Sequence, residues 1–208
     1  MLREALEYPT EGDDLVREYG IAVLLTLGSI FIIPAFILVG YYVKAMKSTL
    51  KGEEQIPVFK DFVDLMIDGL KFTGITITYI LTPILLISAG DTLGLAGSIG
   101  TGIEVIGFLL LLTAFYMIPS AVVNFARNNR AVSAFNLKEV GQKAFRTKYL
   151  KGTLALLGAL LLITIAQLAV TIVLIFTIIG IPALLIVMPA MRFYENLVYF
   201  RIMAEMAD

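Results

Sequence analysis

Neither cysteine nor histidine occurs anywhere in the 208 residues. Their absence removes disulfides, thiol chemistry, Cys/His metal centres and histidine-dependent triads together, and it leaves carboxylates as the only strong metal ligands. Charge is also scarce, at 16% of residues with a formal net of −1. Such a balance argues against a polyanionic partner, and no nucleic acid is expected. No secretory leader is expected either, because residues 1–19 are polar and mostly acidic, and the first apolar run is long and has no evident cleavage site.

What the chain has is apolar length. Hydrophobic residues make up 59% and the mean hydropathy is +0.89, well above the roughly 45–50% apolar content of soluble domains. The composition defines an all-α integral membrane bundle. At about 20 apolar residues per crossing, the pattern predicts about five spans within a single domain, over 20–46, 72–89, 103–123, 153–178 and 182–200. Pro34, Pro83 and Pro119 lie inside or near the end of the first three, and a kink rather than a break is expected where neighbours satisfy the freed carbonyl. Gly180-Ile181-Pro182 separates the last two spans.

Two polar linkers interrupt this pattern. From residue 58 the first puts Phe59, Phe62, Val63, Met66 and Leu70 on one helical face and Lys60, Asp61, Asp64, Asp68 and Lys71 on the others, after Pro57 at a helix start. The second reads as a helix over 136–149, with Asn136 and Glu139 spaced as a capping box. Both are expected to be amphipathic helices lying at the cytoplasmic membrane surface. Lysine and arginine crowd both linkers and are absent from 90–102 and from the last turn, so the linkers and the C-terminus are assigned to the cytoplasm. Five spans then place the N-terminus outside. An N-terminus inside would instead require 20–46 to be a re-entrant hairpin bent at Pro34.

Spans one, three and five each carry a proline followed by an aromatic and a basic residue: Pro34, Tyr41 and Lys44; Pro119, Phe125 and Arg127; Pro189, Tyr194, Tyr199 and Arg201. One reading is a parallel duplication, 20–89 and 103–178, followed by a final span at 182–200. The other is that prolines and interfacial aromatics are common in membrane helices.

Three groups of side chains carry candidate chemistry. Asp61, Asp64 and Asp68 form an interfacial acidic face able in principle to hold Mg²⁺ against a lipid diphosphate, against which stands a plain solvated face. Arg192 and Glu195, three apart on the last span, are either a buried polar pair or a snorkelling anchor. Lys138, Lys143, Arg146 and Lys148 are candidates for contact with anionic lipid. Gln167 reads as glue between helices, and Gly152, Gly158 and Ala159 as a small-residue packing stripe. The glycines of 90–102 lack the lysine and preceding strand of a phosphate loop.

The runs YPTEGDD (8–14), IPAF and GYY (within 33–42) and GEEQIPVFKDFVDLMIDGLK (52–71) resemble an archaeal family of polytopic membrane proteins, found in methanogens and halophiles and classed as a domain of unknown function. The resemblance implies a helical membrane fold in an archaeal cell membrane. It brings no activity, substrate, cofactor or catalytic residue.

The resulting expectation is a non-enzymatic accessory or membrane-organising protein without a cofactor. Its expected partners are membrane lipids, a second copy of the chain or other membrane subunits. Two alternatives stand beside it: a small oligomeric transporter or channel, and a Mg²⁺-dependent lipid-modifying enzyme.

Overall fold

A computed structural model describes residues 2–92, 98–177 and 180–207. Helices account for nearly all of the secondary structure, and no strand occurs among the described residues. In chain order they are α1 (Leu2–Glu7), α2 (Leu15–Leu27), α3 (Ile32–Leu50), α4 (Phe62–Thr92), α5 (Ser98–Asn128), α6 (Leu137–Ala144), α7 (Thr147–Ile175) and α8 (Gly180–Ala207). Four of these, α4, α5, α7 and α8, are long and apolar enough to cross a bilayer.

The first expected span is divided. Helix α2 starts where the Asp14 carboxylate accepts the Arg17 backbone N–H at 3.2 Å, a standard N-cap. It ends at Leu27, a 3-10 turn follows over Gly28–Ile30, and Phe31 is extended at φ −87°, ψ 121° before α3 begins. Pro34 therefore lies in the first turn of α3, where its missing N–H has no intrahelical acceptor to lose. The chain breaks ahead of the proline instead of kinking at it. At about 1.5 Å per residue, the 13 residues of α2 reach only about 20 Å, too short to span. Pro83, Pro119 and Pro189 remain inside continuous helices.

The main helix–helix interfaces join α4 with α5, α3 with α4 and α7 with α8, while α3 and α2 also lie against α8. The C-terminal ends of α3, α5 and α8 come together at one shared end, where Lys47 of α3 bonds Asn129 just after α5, and Arg201 of α8 donates to the Glu53 carbonyl just after α3. Helices α3 and α4 approach closely through two glycines. A Cβ on Gly40 would lie 1.7 Å from the Leu65 carbonyl oxygen, and one on Gly69 would lie 2.0 Å from that of Phe36. The stripe expected on α7 plays a smaller part: Ala159 is buried, but Gly158 faces open space.

At the shared end the fold has a dense core: Tyr41, Met46, Phe59, Phe125, Phe193, Leu197 and Met203 are all fully buried. The apolar lengths of the four long helices are only 11% to 39% buried, so most of that surface faces something other than the chain itself. The N-terminal segment joins the same core. Ala5 packs with Val198 and Ile202, and the Arg201 guanidinium sits 4.9 Å over the Tyr8 ring, so the two termini meet at one end.

Candidate functional site

Both linkers turn out to be pinned to the core; the first contains no separate helix, and the second contains the helix α6, shorter than expected. Residues 51–61 form an irregular strap, after which Asp61 in the left-handed region (φ 57°) leads directly into α4. Besides the Arg201 contact at Glu53, four polar contacts hold residues 56–59 of the strap: Tyr41 OH donates to the Pro57 carbonyl (2.6 Å), Lys44 Nζ to the Val58 carbonyl (2.8 Å), the Phe59 N–H to Glu18 Oε2 (2.8 Å), and the Ile56 N–H to the Glu11 carbonyl (2.8 Å). The expected amphipathic segment is thus the first turns of a span. Its face is also rotated, because Leu65 and Gly69 point inward while Phe62, Val63 and Leu70 are exposed.

The three aspartates of that segment do not converge. Asp61 and Asp64 are exposed, whereas Asp68 turns inward to Lys47 (2.6 Å), with Lys71 at 3.8 Å from its other oxygen. Among the described residues no three acidic side chains come together in a way that could hold a metal ion.

In the second linker, the expected cap is present: Asn136 Oδ1 accepts the Glu139 N–H at 3.4 Å. The helix ends at Ala144, short of the expected 149, and α7 starts afresh at Thr147. Carbonyls of this linker are taken up by side chains from the spans, with Tyr79 OH donating to Ala134, Ser120 Oγ to Val140 and Tyr116 OH to Ala144 at 2.6, 3.0 and 2.9 Å. Of the four basic residues, Lys138, Arg146 and Lys148 are exposed, beside Phe135, Leu137, Phe145 and Leu150, which are exposed as well. Lys143, expected among the lipid-facing cations, is instead 7% exposed and donates to Asn124 Oδ1 in the core, with Glu139 at 3.1 Å. The 3.6-residue period places it beside Val140 and Ala144 on the buried face.

Arg192 and Glu195 do pair, at 2.8 Å. Gln167 of α7 donates to the same Glu195 oxygen at 3.0 Å, so the glutamate ties the two helices together. The side chain of Glu195 is 15% exposed, while that of Arg192 is 59% exposed. From the start of α8 at Gly180, Arg192 lies about 18 Å along the helix.

Two of the surface cavities lie against the helices that carry these groups. An apolar groove of about 620 Å³ lies between α2 and the α7/α8 pair, lined by Tyr19, Ile163, Ala166, Val187 and Tyr194 among others. A polar cavity of about 840 Å³ lies between the end of α3 and the strap, lined by Lys44, Lys47, Lys51 and Lys60 together with Glu53 and Glu54. Sequence reasoning missed this second cavity. Its signal in the sequence is the spacing of Lys44, Lys47 and Lys51, which share one face of a helix.

Exposed apolar spans, a dense polar-edged core and basic linkers define a polytopic α-helical membrane protein. The chain belongs to the family described as a protein of unknown function, DUF4013, whose model matches residues 27–188. It is also similar to a protein of the archaeon Methanocaldococcus jannaschii described only as uncharacterized, at 34% identity over 101 residues. That alignment covers 47% of this chain and 33% of the relative, so the chain matches about a third of the relative's length. No solved structure matches.

Proposed function

We propose that this protein is a non-enzymatic membrane accessory of the cell membrane, one that grips the cytoplasmic surface through its second linker and leaves its apolar spans to lipid or to neighbouring subunits. The observation that carries this reading is the rim formed by Phe135, Leu137, Phe145 and Leu150, whose exposed apolar side chains alternate with exposed Lys138, Arg146 and Lys148. Aromatic and aliphatic groups enter the acyl boundary while the cations meet anionic headgroups. In this reading α2 and α3 form a re-entrant hairpin whose tip, Ile30 to Ile33, is apolar and 61% to 89% exposed. Four crossings then place both termini in the cytoplasm, in place of the opposite sides expected from five.

The chain has no tryptophan, so Phe145→Trp introduces a sole reporter. In proteoliposomes its emission is expected to shift to the blue and to be quenched by lipids brominated on their acyl chains. Quenching should fall when Lys138, Arg146 and Lys148 are all changed to Gln in anionic vesicles. An unquenched reporter removes the lipid-gripping role.

A small oligomeric transporter or channel is the second reading. The Arg192, Glu195 and Gln167 cluster favours it, since ionisable groups within an apolar helical pair often mark a transport path.

A further inference from the structure

The cavity between the end of α3 and the strap is built to receive an anion. Its floor is one helical face carrying Lys44, Lys47, Ser48 and Lys51, and its far wall is the strap with Lys60. Four lysines face two glutamates, Glu53 and Glu54, across the lining. Lys47 is already engaged by Asp68 and Asn129. Lys44 spends one of its three donors on the Val58 carbonyl, leaving two. Partial burial lowers the pKa of Lys44, the nearby Lys60 lowers it further, and the charges of Asp61 and Glu18 oppose that only in part. The Lys44 and Lys60 ammonium groups share this lining, and the strap that carries Lys60 is fixed by the Phe59 N–H donating to Glu18 and by Tyr41 OH donating to the Pro57 carbonyl. Val58 lines the cavity and is 43% exposed, and Phe62 and Val63, the first residues of α4 after the strap, are 44% and 66% exposed, apolar groups suited to acyl chains.

We infer that this cavity binds the phosphate-bearing headgroup of an anionic lipid, with Lys44 and Lys60 as the contacting cations and Val58, Phe62 and Val63 against the chains. This site is separate from the rim around α6 and does not depend on it. Charge-assisted bonds from a lysine to phosphate oxygens are among the stronger polar contacts a protein makes.

The test is calorimetric titration of the full chain, held in a neutral detergent, with short-chain phosphatidylglycerol and, separately, with inorganic phosphate. Saturable binding of the lipid is expected, weakened about tenfold by Lys44→Gln with Lys60→Gln. Lys60→Gln alone, on the exposed strap, should give an intermediate loss without threatening the fold. Arg3→Gln, an exposed cation of α1 outside the cavity lining, should leave the affinity unchanged. Saturable binding of inorganic phosphate with the same dependence on Lys44 and Lys60 retains the phosphate site and assigns its occupant to a free anion. No saturable binding of either probe overturns the inference, as does a loss in Arg3→Gln equal to that in the strap variants.

Discussion

The carboxylate of Glu18 accepts the backbone N–H of Phe59 at 2.8 Å, across 41 residues of chain and inside the core, where Glu18 is 3% exposed. The contact places Phe59 flat against Tyr41, with ring centroids 3.8 Å apart and an interplanar angle of 14°. Phe193 of α8 closes the cluster at 4.9 Å from Tyr19 and 5.4 Å from Tyr41. One buried acid in α2 therefore fixes the strap, and the strap fixes how α3 meets α8.

Glu18→Ala removes the acceptor and leaves a buried N–H without a partner, at a cost of about 1–3 kcal/mol. A clear fall in thermal midpoint by circular dichroism is expected, with protease cleavage appearing within the strap at Lys51 or Lys60. Glu18→Gln retains an acceptor oxygen and should recover most of the loss. Equal loss in the two variants means that the amide contact does not hold the strap.

The close approach of α3 and α4 gives a second expectation. Because a Cβ at Gly40 or Gly69 would meet backbone oxygen within 2.0 Å, even alanine forces the helices apart, and larger side chains cost more than the usual 1–3 kcal/mol of overpacking. Gly40→Ala and Gly69→Ala should each lower the thermal midpoint strongly. Gly158→Ala on α7 meets open space and should be neutral or slightly stabilising through helix propensity. An unfolding series in detergent separates these outcomes.

Apolar length made the four long helices legible, because hydropathy over about 20 residues needs no knowledge of packing. The Asn136 cap was legible for the same local reason. The first linker was misread because its apolar period, from Phe59 to Leu70, is satisfied by lipid-facing exposure as well as by an interfacial helix; only Gly40 and Gly69 meeting across α3 and α4 decide which face turns inward. The division of residues 20–46 depended on Phe31 becoming extended, and the proline three residues later drew the eye to the wrong place. Lys143 looked like its basic neighbours until Asn124, 19 residues away, supplied its partner. The cavity of lysines required the strap to fold back over α3, which no local pattern encodes.

The core also carries a pH dependence. Burial raises the pKa of Tyr8 to about 12, and it raises those of Tyr19, Tyr41 and Tyr42 above the ordinary phenol value as well. The folded state therefore holds protons that the unfolded chain releases near pH 10. Stability from these phenols is fully present below about pH 10 and is lost as pH rises through the folded values, with Tyr8 alone accounting for on the order of 2 kcal/mol. Unfolding and the rise of tyrosinate absorbance should coincide above about pH 10. Tyr8→Phe should narrow the loss. Tyrosinate appearing well before unfolding means that the phenols are less enclosed than the fold places them.

Arg192 and Glu195 decide between the two functional readings. Truncating Glu195 leaves Gln167 Nε2 with only the Met191 carbonyl at 3.5 Å, so Glu195→Ala should loosen α7 from α8 by about 1 kcal/mol. Arg192→Ala removes the exposed partner and should cost less. For an accessory protein, proteoliposomes carrying the native chain pass no ions or small solutes above empty vesicles, and the double variant changes only the thermal midpoint. Flux that is present in the native chain and lost in Arg192→Ala with Glu195→Ala, while the variant remains folded and inserted, places the polar cluster on a transport path and puts that reading first.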